Sequence, residues 1–151
     1  MSNFYQAFRD HAQTLAPLTA LVGPRMYAMK YPQTPTYPAI RVNKISEVDR
    51  EYSHSGDFGL ITSQYQIEVA SSEEQAPNGN PLIEVQTVGA ILSARSDAGG
   101  FSGFTGDLGV SPNELFVGVM ILQDLSETYD PDELRVLRQI QIWRVQHCRE
   151  T

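Results

Sequence analysis

The stretch that decides the fold is residues 60–70, LITSQYQIEVA, because it carries the cleanest alternation in the chain. Its apolar positions are Ile61, Tyr65, Ile67 and Val69, and its polar positions are Thr62, Gln64, Gln66 and Glu68. A period of two is typical of a strand with one buried face. We therefore expect a strand whose polar face, with Gln64 and Gln66, meets water or a partner.

Upstream of this strand, residues 48–59 read VDREYSHSGDFG and are polar, with two glycines. This pattern predicts a long loop. Before it we expect a short strand over residues 25–30 and a second strand over residues 39–47. A loop of this length between two strands is typically functional or disordered. We expect it to face a partner protein. The candidate contact residues in it are Arg50, Tyr52, His54 and Asp57.

Between the first two predicted strands, residues 31–38 read YPQTPTYP. Each proline fixes its own φ and disfavours the helical region for the residue before it. The segment is therefore expected to be a stiff, extended connector that sets where the next strand begins. Tyr31 and Tyr37 are interpreted as available to pack against a neighbouring subunit.

Two helices are predicted. Residues 2–16 carry apolar side chains at helical spacing, and Pro17 interrupts them before one further turn that ends at Gly23. Asn80 and Pro81 open a second helix that extends to about residue 95. With the strands, the order α-β-β-β-α-β-β indicates an α+β fold in one domain, residues 1–151. Its sheet is mostly antiparallel, with both helices on one face.

The C-terminal third predicts two more strands. Residues 115–122 are apolar at nearly every position, which favours a central, doubly covered strand. Residues 134–147 form the last strand, in which Ile140 and Ile142 share one phase and Trp143 and Val145 the other. This change of phase predicts a bulge, or a second face buried by another element. Trp143 and Arg144 are accordingly candidate contacts between subunits.

The sequence offers little for catalysis. The glycine-rich stretch 96–114 lacks the lysine of a phosphate loop and is interpreted as a flexible loop that can order in an assembly. His11, His54 and His147 have no metal-site spacing, and Cys148 lies close to the C-terminus. We expect a protein that is not an enzyme and uses neither metal nor cofactor. A small enzyme or ligand-binding domain is the competing hypothesis.

Charge and apolar length also limit the partners. The net charge is −7 and the sequence pI is about 4.8, which disfavours strong binding to nucleic-acid phosphates. No stretch has the roughly 18 apolar residues of a transmembrane helix, and no secretion signal is evident. A single cysteine suits a reducing compartment.

Residues 18–46, LTALVGPRMYAMKYPQTPTYPAIRVNKIS, carry a recognisable pattern. A leucine-rich helix end is followed by LVG-x-R-x-Y, a Pro/Gln segment, and YP-x-I leading into a strand. The pattern resembles the tail completion (tail terminator) proteins of long-tailed bacteriophages. The order of the later elements agrees with the family over nearly the whole chain.

The resemblance implies a structural virion protein that forms a homohexameric ring at the head–tail junction. The ring would terminate the tail tube on one side and meet a head-completion or connector protein on the other. Genomic DNA would pass through its lumen without specific binding, and assembly would take place in the host cytoplasm. The alternative is another neck or tail component of similar fold, such as a head-closure or tail-tube protein.

Overall fold

In residues 3–53, 56–76, 79–130 and 135–148, which the computed structural model describes, the chain forms three α-helices and six strands. They follow in the order α1 (Phe4–Gln13), α2 (Ala16–Val22), β1 (Met26–Ala28), β2 (Ala39–Ser53), β3 (Gly56–Ser72), α3 (Pro81–Ser93), β4 (Gly106–Leu108), β5 (Leu115–Asp130) and β6 (Val136–Cys148). The predicted order lacks α2 as a separate helix and lacks β4.

The six strands form one sheet in the order β1-β2-β3-β6-β5-β4. β1 runs parallel to β2, and every other neighbouring pair is antiparallel. β3 and β6 are central and pair without interruption from Leu60↔Cys148 to Ser72↔Val136. The predicted α+β class and mostly antiparallel sheet are confirmed.

All three helices pack on one face of the sheet, and their apolar side chains join those of the strands in one core. Phe4 of α1 stacks on Tyr65 of β3 with ring centroids 3.9 Å apart. Asn3 caps α1 by accepting the Gln6 N–H at 2.8 Å, and Asn80 caps α3 by accepting the Leu82 N–H at 3.1 Å. These caps fix where the helices start and so which residues face the core.

Residues 48–59 were predicted to be a loop, and that prediction is wrong. β2 and β3 continue through residues 48–53 and 56–59 as paired strands up to Ser53↔Gly56, and residues 54–55 lie outside the described part of the chain. The register shifts between Lys44 and Ser46, between Glu47 and Asp49 and between Arg50 and Tyr52 mark bulges. Bulges and polar residues remove the alternation that signals a strand, which explains the misreading.

β5 also differs from its prediction. It extends to Asp130 instead of ending near residue 122, and it lies beside β4 near the edge of the sheet rather than at its centre. Residues 123–129 are exposed, so this half of the strand has no buried face to give it an apolar pattern.

The glycine-rich stretch 96–114 is anchored to the core rather than free. Phe101 and Leu108 are fully buried, and the Phe101 ring lies 4.8 Å from that of Phe8. Gly100 is required by close packing, because a Cβ there would lie 2.0 Å from the Ala94 carbonyl oxygen. The expectation of a flexible loop is therefore corrected.

The change of phase in β6 has a different cause from the one predicted. β6 pairs with β3 without any register shift, and the bulge lies instead in β5, between Leu122 and Asp124. Gln139 and Gln141 are buried on the helix side together with Trp143. Three hydrogen bonds satisfy them. The Trp143 indole N–H donates to Gln141 Oε1 at 3.0 Å, and Gln141 Nε2 donates to Gln139 Oε1 at 2.9 Å and to the Gly89 carbonyl at 3.1 Å.

This amide ladder explains a glycine in the middle of α3. A Cβ on Gly89 would lie 1.8 Å from Gln139 Oε1, so any larger residue there would force Gln139 to move and disturb the ladder. Buried amides are stable only when they are hydrogen-bonded, which the ladder achieves.

We expect the substitution Trp143→Ala to destabilise the subunit itself, because Trp143 is 0% exposed and donates to the amide ladder. The free energy of unfolding should fall by about 3–5 kcal/mol, measured by urea denaturation. Arg144→Ala, one residue along on an exposed position, is the matched control and should change it by less than about 0.5 kcal/mol. Equal small effects of both substitutions would contradict the packing described here.

Candidate assembly surface

The proline connector, residues 31–38, lies on the sheet face opposite the helices, and we call it the proline strap. Tyr37 is 9% exposed and packs with Ala39, Ala70 and Val136. Its backbone N–H donates to Gln75 Oε1 at 2.8 Å, and Gln75 Nε2 donates to the Pro35 carbonyl at 3.3 Å. The strap therefore covers β2, β3 and β6 at one end of the sheet.

A buried carboxylate lies beneath the strap. Glu68 of β3, whose side chain is 3% exposed, lies 2.5 Å from Arg41 of β2 and 3.2 Å from Arg138 of β6. The Tyr31 hydroxyl donates to Glu68 Oε1 at 3.1 Å. The Arg41 guanidinium carbon lies 5.5 Å from the Tyr31 ring centroid, a cation–π contact. One carboxylate thus links three strands and the strap.

Burial is the main cause that raises the pKa of Tyr31 far above its ordinary value. The negative charge and the hydrogen bond of Glu68 raise it further, whereas Arg41 and Arg138 act in the opposite direction. Tyr31 therefore remains a hydrogen-bond donor to Glu68 throughout the physiological range.

The strap leaves the other end of this sheet face uncovered by the described residues, and three of the candidate contact residues meet there. Gln64 is paired with Arg144, and Gln66 is paired with Ile142. Gln64 Nε2 donates to Gln123 Oε1 of β5 at 2.9 Å. The structure thus brings Gln64, Gln66 and Arg144 together on one amide-rich surface.

The remaining candidates are located elsewhere. Trp143 is buried on the helix face, and Tyr31 and Tyr37 pack against the chain's own sheet, so little of their surface is left for a neighbour. Arg50, Tyr52 and Asp57 lie in the paired hairpin of β2 and β3. His54 lies outside the described residues. A contact role for all these residues stays a prediction.

Sequence reasoning missed the ionic cluster of Arg41, Glu68 and Arg138. Glu68 lies on the polar side of the alternation in β3, and only the strap, which is distant in sequence, buries it. The available signal was the strap itself, because a stiff connector with two tyrosines needs a surface to lie on.

An apolar groove of about 610 Å³ lies between the start of α2 and the outer face of α3. Its lining includes Leu15, Ile83 and Ile91, and its polar lining side chains are Gln86 and Thr87. None of the lining residues has an acidic, basic or thiol side chain. Among the described residues, no group of three or more His, Cys, Asp or Glu side chains could hold a metal ion.

Within the described part of the chain, no helix has the length and apolar character needed to cross a bilayer. No protein-family model matches the chain, and no curated protein matches it. Among solved structures, the fold is similar to that of a chain in the "Virion of native gene transfer agent (GTA) particle". The TM-score is 0.56, with 15% identity over 89% of this chain and 86% of that chain. At this identity the likeness establishes a shared fold.

We expect Glu68→Gln to lower the free energy of unfolding by about 3 kcal/mol, because two guanidinium groups lose their shared counter-charge. This loss of unfolding free energy is at the lower end of the range for breaking a buried ion pair, because the Arg41 and Arg138 side chains are 26% and 25% exposed. Asp97→Asn, which breaks the exposed pair with Arg95, is the control and should cost about 0–1 kcal/mol. A cost for Glu68→Gln as small as that of the control would contradict a stabilising role for the cluster.

Tyr31→Phe should change how stability depends on alkaline pH. The pKa of Tyr31 is raised in the folded chain, so its contribution is complete below the unfolded pKa of about 10 and is lost as pH rises above it. The wild-type free energy of unfolding should therefore fall more steeply above pH 10 than that of the variant, as followed by urea denaturation. Parallel curves for the two proteins would refute a buried, protonated Tyr31.

Proposed function

We propose that this chain is a structural, non-enzymatic component of a phage-like virion that forms a ring at the head–tail junction. The observation that carries the proposal is the likeness in fold to a virion chain over most of both chains. The sequence pattern of residues 18–46 supports the finer role, because it resembles tail terminator proteins. The hexameric number comes from that resemblance.

In this proposal the ring caps the tail tube on one side and meets a head-completion or connector protein on the other. The amide-rich surface of Gln64, Gln66 and Arg144 supports it, since such a surface can contact protein without a strongly basic character. The hairpin of β2 and β3 extends past the last pair of β3 with β6, Leu60↔Cys148, and so has the reach to contact a neighbouring protein.

DNA passes through the proposed lumen without specific binding. The net charge of −7 supports this, because a surface that repels phosphates lets DNA move. The protein acts in the virion and is assembled in the host bacterial cytoplasm.

A tail-tube or head-closure protein is the second candidate function. The observation in its favour is that, among the described residues, β1 and β4 leave most of the outer edges of β2 and β5 without a strand partner. Edges at opposite ends of a sheet can build an open tube as well as a closed ring. The two candidates differ in whether assembly stops by itself.

We expect native mass spectrometry of the purified protein to show one closed species with a fixed number of subunits. The protein should bind the end of isolated tail tubes in electron micrographs. Removing residues 50–57 shortens the hairpin and should abolish end binding. Open polymers of indefinite length would favour the tube protein, and a stable monomer that binds a metabolite would overturn both candidates.

A further inference from the structure

In the part of the chain that the structure describes, two sheet edges are open at opposite ends of the sheet. On β5, the Met120 carbonyl still accepts the Gly103 N–H, but no described residue pairs with the outer edge of residues 121–130. On β2, the Val42 carbonyl accepts the Met29 N–H, and the outer edge of residues 43–53 likewise has no strand partner among the described residues. The two open segments are of similar length.

Exposed apolar side chains flank both open edges. Ile121, Leu125 and Tyr129 of β5 are 42–46% exposed, and Met29 and Ile45 beside β2 are 75% and 49% exposed. Residues 121–130 contain no lysine, arginine or proline; their charged residues are three acids, and a bulge lies between Leu122 and Asp124. An edge of this kind is a template for another strand.

Strand direction identifies the partner of the β5 edge. β2 and β6 both run antiparallel to β3, and β5 runs antiparallel to β6, so β5 is antiparallel to β2. Copies related by the rotation of a ring keep the same orientation. The β5 of one copy therefore meets the β2 of the next as an antiparallel pair, which is the favourable geometry for strand addition.

Charge distinguishes this pairing from the joining of two identical β5 edges. Residues 121–130 carry Asp124, Glu127 and Asp130 with no basic residue. Two β5 edges would place three acids against three acids with no basic residue on either side. Residues 43–53 instead carry two basic residues, Lys44 and Arg50, and three acidic ones, Glu47, Asp49 and Glu51, so this pairing brings together less like charge.

We propose that a second copy of this chain adds its β2 edge, residues 43–53, to the β5 edge, residues 121–130, and so extends one sheet from subunit to subunit. The copies are offset along the strands, so that β1 and β4 lie at the two ends of the joint. The proposal rests on the proposed ring and names the contact that builds it.

Backbone geometry selects the variants that test this joint. The Leu125 N–H points away from β6, towards the open edge, and donates to the neighbouring Asp124 carboxylate at 2.9 Å. Alternate residues of a strand point the same way, so the Glu127 N–H also faces outward. On β2, the Ile40 N–H donates to the Arg25 carbonyl and the Val42 carbonyl accepts the Met29 N–H, both on the side of β1. Because alternate residues point the same way, the Lys44 N–H lies on that side too, beyond the end of β1.

Glu127→Pro removes one outward N–H from the β5 edge, and Lys44→Pro removes one from the β2 edge. Proline is tolerated at such positions because the N–H faces away from the neighbouring strand of the subunit. The side-chain contacts that are lost, Gln86 to Glu127 at 3.3 Å and Lys44 to Glu47 at 2.5 Å, are lost in the alanine variants too. Glu127→Ala and Lys44→Ala are the matched controls, since they remove the same side chains and keep the N–H groups. Circular dichroism verifies that all four variants are folded.

Analytical ultracentrifugation should show that wild type and both alanine variants assemble. Each proline variant alone should remain monomeric, with a dissociation constant raised about tenfold or more. An equimolar mixture of the two proline variants should form heterodimers and stop there, because each variant retains one working edge.

Other outcomes overturn the joint. Dimers of the Lys44→Pro variant alone would show pairing of two β5 edges. If the proline variants formed the wild-type ring, the proposed contact between β2 and β5 would be refuted, and the ring proposal would stand. Open head-to-tail chains of the wild-type protein would support the contact between β2 and β5 but refute the closed ring. A wild-type protein that stays monomeric at every concentration would refute both proposals.

Discussion

The buried Glu68 carboxylate is the interaction on which the shape of the sheet depends. It bonds Arg41 of β2, Arg138 of β6 and the hydroxyl of Tyr31, so three adjacent strands and the proline strap share one counter-ion. With the strap seated on that side and the helices on the other, both faces of the sheet centre are covered at one end. The other end and both outer edges are left open by the described residues. The uncovered face is therefore a consequence of where the strap is held, whereas the outer edges are open because β1 and β4 pair with only three residues each of β2 and β5.

Much of the interior could be predicted from the sequence, and the edges could not. The alternation in residues 60–70 located β3, and the Asn80-Pro81 pair located α3, because burial of one face and helix capping leave local signals. The outer halves of β2 and β5 gave no such signal, since exposed and bulged strands are polar at most positions. In β6 the prediction failed for the opposite reason, because polar residues there are buried. Gln139 and Gln141 satisfy each other together with Trp143, so polar side chains occupy a buried face.

Of the candidate site, the sequence brought out Gln64, Gln66 and Arg144, which do share one surface. It assigned Trp143 a role between subunits, which stays a prediction; in the subunit the Trp143 side chain is fully buried. It gave no hint of the exposed Leu125 and Tyr129, because the strand that carries them was expected to end earlier. A contact surface formed by an edge depends on which strands are neighbours, and that order is a property of the whole sheet.

The fold shared with a virion chain, the acidic composition and the two edges without a strand partner among the described residues support one proposal, that the chain is a ring subunit at the end of a tail tube. Its most direct test is cryo-electron microscopy of the particle that contains this chain, with density assigned to each protein. The account predicts a single ring of copies between the last ring of the tube and the head connector. Copies stacked along the length of the tube, or located away from the head–tail junction, would contradict it.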